Sequence, residues 1–137
     1  WIKYSVKNII KIWILIPIIL IFMLSFANSF YTLWVGDKIH IPLLLNIFMA
    51  MLVVLITFNM VFANLVNGIG KIRLQMYYSV FAMIINIPLS IIFAKNLEMG
   101  SAGVILATCV SLFIGSIFAP IQSWKILKGK AKGIWNS

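Results

Sequence analysis

The chain has four Asp, Glu, His and Cys residues, the types that metal and carboxylate or imidazole acid–base chemistry draws on most: Asp37, His40, Glu98 and Cys109. They form no cluster. There is no Cys/His group with metal-ligand spacing, and the single histidine falls at the edge of an apolar run. The two carboxylates have no catalytic partner near them, and no serine has a base beside it in any recognisable motif. Cys109 sits inside an apolar run, cannot form an intrachain disulfide, and reads as a small packing residue. Gly68-Ile69-Gly70 is half of a dinucleotide-binding motif, but no strand precedes it and the third glycine is missing. The reading is therefore of a non-enzyme without cofactor or metal.

What remains is hydrogen bonding inside apolar segments. Asn46, Thr57 and Asn64 lie within about 20° of one another at 100° per residue, with Ala50 and Val53 on the same face. Ser79, Ala82, Asn86 and Ser90 make a second small, polar face. Gly103, Ala107, Ser111, Gly115 and Ala119 recur every fourth residue, a spacing that lets two helix backbones approach closely in lipid. Each stripe reads either as helix–helix glue or as the lining of a hydrophilic cavity. The cavity reading is strongest for Asn46 and Asn86.

The elements that must position these residues follow from charge. Of 137 residues, 64% are hydrophobic and 9% are charged, against roughly 25% in a soluble domain. Mean hydropathy is +1.12. Soluble enzymes, DNA-binding domains and disordered chains are excluded by that balance. No Asp, Glu, Lys or Arg occurs in 12–36, 39–70, 74–94 or 99–124, intervals of 25, 32, 21 and 26 residues. A membrane helix needs about 20. A β-barrel would need short alternating strands, and these runs are continuous. The expectation is an all-α integral membrane protein with four transmembrane helices at about 6–29, 41–67, 74–94 and 102–123, and a basic tail over 124–137.

Orientation follows from the basic residues. Lys3, Lys7, Lys11, Lys71, Arg73, Lys125, Lys128, Lys130 and Lys132 fall on one side, and only Lys38 and Lys95 on the other. Both ends of the chain are thus expected in the cytoplasm. The net charge of +9 reads as topology and contact with anionic membrane lipid, not as nucleic-acid binding, because no folded basic domain is left for it. The tail, with Trp124 and Trp135, suits the inner leaflet. Pro17 and Pro88 are expected to kink the first and third helices, and Pro42 to open the second. Residues 30–38, with Tyr31 and Trp34 before Gly36-Asp37, read as an interfacial belt and turn. A leader peptide with a small-residue site at Ser25-Phe26-Ala27 is disfavoured by the length of the first run. The chain opens on Trp1 without Met and is read as a processed or truncated product.

Several segments carry a family resemblance. They are Tyr31-Thr32-Leu33-Trp34-Val35-Gly36, Asn67-Gly68-Ile69-Gly70-Lys71-Ile72-Arg73-Leu74-Gln75, Asn86-Ile87-Pro88-Leu89-Ser90, Gly100-Ser101-Ala102-Gly103-Val104 and Pro120-Ile121-Gln122. Together they resemble the C-terminal region of the polysaccharide-repeat (O-antigen, Wzx-type) flippases of the multidrug/oligosaccharidyl-lipid/polysaccharide exporter superfamily. The segment Asn67–Arg73 is the most specific part, and the resemblance covers essentially the whole chain.

That family implies about twelve helices in two pseudo-symmetric bundles around a central cavity, of which these four would be the last. About two thirds of the transporter would then lie in missing N-terminal helices of the same chain. The implied substrate is an undecaprenyl-diphosphate-linked oligosaccharide, moved across the bacterial inner membrane for surface polysaccharide assembly. Asn46, Asn59, Asn86 and Thr57 would meet sugar hydroxyls. Lys71 and Arg73 would meet the diphosphate at the cytoplasmic mouth or, in the plainer reading, serve only as topology anchors. The alternatives are a cation-coupled multidrug exporter, which would want intramembrane carboxylates, and a non-transporting membrane scaffold subunit. An integral-membrane glycan enzyme is a third and weaker alternative.

The charge asymmetry is directly measurable. In K38C, K95C and K128C variants, a membrane-impermeant thiol reagent applied outside should label the first two sites only. Outside labelling of the third would overturn the orientation.

Overall fold

The computed structural model describes residues 2–36 and 41–136, without the side chain of Val35. The expected turn residues Asp37, Lys38 and His40 lie outside the described residues. The protein is an all-α membrane protein, 88% helical, with no strand among the described residues. In chain order the helices are α1 (Ile2–Trp13), α2 (Leu15–Val35), α3 (Leu43–Ile69), α4 (Arg73–Ile91) and α5 (Gly100–Leu127). A π-helical turn, Ile92–Asn96, continues α4, and a 3₁₀ turn, Gly133–Asn136, follows α5. Taken as α1 with α2, α3, α4 with its π turn, and α5, the chain offers four spans long and apolar enough to cross a membrane.

Helix limits shift from expectation for local reasons. The first span is broken at Ile14, three residues before Pro17, whose nitrogen cannot donate to the Trp13 carbonyl. Residues 30–35, expected as an interfacial belt, remain helical, and α2 closes at Gly36, whose N–H bonds the Thr32 carbonyl at 3.1 Å. Nothing in Phe-Tyr-Thr-Leu-Trp opposes the helix in an apolar setting. At α4 the helix runs through Pro88 and changes to π-helical winding only from Ile92. Pro120 also sits inside a helix, so α5 extends to Leu127, a turn beyond the expected limit.

The α3–α4 connection is tightly built. Gly70 adopts φ +75°, its N–H bonds the Asn67 carbonyl at 3.0 Å, and Lys71 N–H bonds the Val66 carbonyl at 3.1 Å. This is a Schellman-type ending that only a residue at ease with positive φ completes without strain. Gln122 of α5, fully buried, donates from Nε2 to the Lys71 carbonyl at 3.0 Å. The turn is thereby pinned to the far end of the last helix.

α5 is the centre of the bundle. It packs along α3 and along α4, whereas α1 and α2 make their principal contacts with α3. Nine residues of α5 are buried, among them Gly103, Ala107, Ser111, Gly115 and Ala119, so the small-residue ridge is covered along its length. At Gly103 the approach is closest. A Cβ there would lie 2.5 Å from the carbonyl carbon of Phe93 and 2.7 Å from the nitrogen of Ala94 in the π turn. Cys109 is also fully buried and donates from Sγ to the Phe48 carbonyl at 3.6 Å. The outward faces carry large apolar side chains such as Phe81, Ile84 and Ile87 of α4, each more than half exposed. They suit acyl chains.

A backbone neighbour cannot move aside as a side-chain tip can. Gly103→Ala should therefore destabilise the bundle by about 1–3 kcal/mol. Gly68→Ala, with nothing within 4 Å of the added atom, should change stability by no more than about 0.5 kcal/mol. Unfolding of both variants in detergent micelles, followed by circular dichroism, checks the pair.

Candidate functional site

Because α3 and α4 both lean on α5, a cleft opens between them. It holds about 410 Å³, is partly open, and is floored by Thr108, Ser111, Leu112 and Gly115 of α5. Its α3 wall is Asn59 and Ala63, and its α4 wall runs from Gln75 to Ile87. No charged residue lines it among the described residues.

The polar groups on the floor are arranged by a simple rule. Three hydroxyls of α5 give their protons to the carbonyl four residues back: Thr108 to Val104 at 3.0 Å, Ser111 to Ala107 at 2.9 Å, Ser116 to Leu112 at 3.3 Å. Their lone pairs are then left to accept. Asn86 Nδ2 of α4 donates to Thr108 Oγ1 and Ser111 Oγ, both at 3.3 Å. Ser90 Oγ in turn donates to Asn86 Oδ1 at 3.4 Å. From the other wall, Asn59 Nδ2 donates to Ser116 Oγ at 2.8 Å, to Leu112 O at 3.4 Å and to its own helix at Leu55 O, 2.8 Å. Two asparagines from different helices thus grip one face of α5.

Gly115 makes room for this. A Cβ there would stand 2.8 Å from Asn59 Oδ1 and 3.2 Å from Tyr78 Cε2. Tyr78 stacks on Phe118 at 6.3 Å with the rings 14° apart. At the end of the cleft toward the α3–α4 turn, the buried Gln75 Oε1 has no hydrogen-bond partner among the described residues.

The sequence candidates divide. Asn86 lines the cleft, with Ser111 and Gly115 of the ridge, while Gly103, Ala107 and Ala119 serve packing above and below it. Asn46 and Thr57 face the first span instead: Tyr31 Oη donates to Asn46 Oδ1 at 3.2 Å, and Trp13 Nε1 donates to Thr57 Oγ1 at 3.0 Å. Asn46 lines a separate cleft of about 430 Å³ between α2 and α3, walled mostly by apolar residues. Asn64 is exposed and lines neither cleft. Lys71 lies in the α3–α4 connection and Arg73 opens α4, both outside the cleft lining, and Lys71 Nζ donates to Asn136 Oδ1.

Asn59 lies off the polar stripe of its own helix and, like Asn86, makes three hydrogen bonds in the site. The usable signal is its register: Leu55, Asn59, Phe62 and Val66 follow 4-3-4 spacing, and the other three are buried. An amide in the middle of an apolar, inward stripe needs a partner across the interface.

Replacing Asn59 by Leu removes the bonds to Ser116 and Leu112 and should cost roughly 0.6–1.7 kcal/mol, the range measured for interhelical hydrogen bonds in membranes. Asn64→Leu should be silent. Denaturation in mixed micelles distinguishes them, and equal effects would remove the distinction between the two faces of α3. As for likeness to known proteins, no family model matches this chain, and no match is found among curated proteins or solved structures.

Proposed function

We propose that this chain is part of a transporter that flips undecaprenyl-diphosphate-linked oligosaccharide repeat units across the bacterial inner membrane for surface polysaccharide assembly. The α3/α4 cleft carries the reading. Sugar hydroxyls both donate and accept, and Asn59, Ser79, Asn86, Thr108, Ser111 and Gln75 offer amides and hydroxyls without a fixed charge. Met83, Ile87 and Leu112 beside them suit sugar-ring carbons and the start of a lipid chain.

The diphosphate needs cations, and the cleft lining has none among the described residues. Lys71 and Arg73, just beyond Gln75, are the cations of this chain best placed for it at a cytoplasmic mouth. Coupling groups and the main anion site would lie in other helices of the same transporter chain. The partners in this reading are the membrane lipid, the lipid-linked oligosaccharide and those helices. Both ends of the chain would face the cytoplasm.

A multidrug exporter would favour carboxylates in the spans, and the two acids of the sequence, Asp37 and Glu98, fall outside its charge-free runs. A non-transporting scaffold is supported by one observation: the Asn59 and Asn86 amides already join helices. The two readings separate by photocrosslinking. With benzoylphenylalanine at Ser79 in the cleft wall, lipid-linked oligosaccharide should be captured at least tenfold better than with the same probe at exposed Asn64. Equal capture would favour the scaffold. Proteoliposomes containing residues 1–137 alone should show no gradient-driven translocation, and robust transport would overturn the placement of coupling groups elsewhere.

A further inference from the structure

We propose that the segment after α5 and the α3–α4 turn form one docking surface for the phosphate headgroups of anionic lipid. The segment does not trail away. α5 ends at Lys128, Gly129 turns the chain at φ +66°, and Lys130 N–H closes on the Lys125 carbonyl at 2.9 Å. The 3₁₀ turn then brings Trp135 back against Phe118, with ring centres 6.3 Å apart, and Asn136 to Lys71 Nζ. The result is a folded strap across the ends of α4 and α5.

Six cations gather there: Lys71, Arg73, Lys125, Lys128, Lys130 and Lys132. Among the described residues the one acid is Glu98, in the α4–α5 connection at the opposite end of α5. Two of the lysines rest on rings: Lys125 Nζ lies 3.6 Å from the Trp135 ring centre, and Lys128 Nζ 4.1 Å from that of Trp124. A ring face attracts an ammonium but offers no lone pair to its three N–H donors. Those donors remain available to a phosphate oxygen approaching from outside. Lipid is the fitting source of that phosphate. The surface caps membrane-crossing helices, and tryptophans of this kind settle at headgroup depth. Polybasic segments beside spans draw anionic lipid.

The test places the chain, labelled with 5-fluorotryptophan, in nanodiscs of phosphatidylcholine with rising phosphatidylglycerol, and reads ¹⁹F resonances assigned through W124F and W135F. The Trp124 and Trp135 signals should shift with phosphatidylglycerol. K71Q/K125Q/K128Q should raise the fraction needed for half the shift by about fivefold or more, and arginine at the same three positions should restore it. K3Q/K7Q/K11Q removes the same charge from α1 and should move the midpoint by less than about twofold. Equal effects of the two glutamine triples would reduce the response to net charge and overturn the site. So would the absence of a shift, failure of the arginine variant to restore it, or the same shift produced by inorganic phosphate in pure phosphatidylcholine discs.

Discussion

α3 and α4 come closest to α5 where α5 carries almost no side chain. Lipid tails are as apolar as leucine, so burying aliphatic groups between spans yields little, and association depends on close packing and interhelical hydrogen bonds. Both need short distances. The Gly103 contact with Phe93 and Ala94 is backbone against helix, and the room at Gly115 is what lets the Asn59 amide lie across α5 with its oxygen beside the Gly115 Cα. Larger residues at these two positions would lift α4 and α3 away. The asparagine bonds to Ser111, Thr108 and Ser116 would then lengthen beyond use.

The polarity of the cleft follows from the same closeness. Hydroxyls on α5 satisfy their protons within their own helix and present lone pairs outward, and the asparagines of α3 and α4 supply the matching donors. Polar groups in lipid are tolerated when each has such a partner. The cleft thus carries polar groups without charge in an otherwise apolar lining. Charge is held at the helix ends, with the lysines of the strap resting on tryptophan rings.

Much of this was legible in the residues before any coordinates. Charge-free intervals marked four spans because a charge in hydrocarbon is costly, and four-residue spacing marked the α5 ridge because side chains four apart share a helix face. Asn86 stood out on a stripe of other small polar residues. Asn59 was named only as a group for sugar hydroxyls, and its place in the helix interface was harder to see, since its neighbours in register are Leu55, Phe62 and Val66. Periodicity gives the face of a helix but not its neighbour, so Asn46 and Thr57 could be grouped together while their partners, Tyr31 and Trp13, could not be named. Gln122 entered only as part of the Pro120-Ile121-Gln122 segment, and its partner could not be read, because it bonds a main-chain carbonyl in a turn. The fold-back of the strap was likewise set by contacts outside the local window.

The central position of α5 also has a bearing on biogenesis. It is made after α3 and α4, yet these two are joined principally through it. Asn59 and Ser116 are 57 residues apart, so at roughly 5–20 residues per second the asparagine waits about 3–11 s for its partner. Asn86 and Ser111, 25 residues apart, wait about 1–5 s at the same rates. During that interval α3 is in or beside the insertion machinery with an unmatched amide. The 2.8 Å bond from Asn59 Nδ2 to the Leu55 carbonyl lies within one turn of its own helix and is available as soon as that turn has formed. Newly made α3 therefore carries its own temporary cover for the group that later joins it to α5.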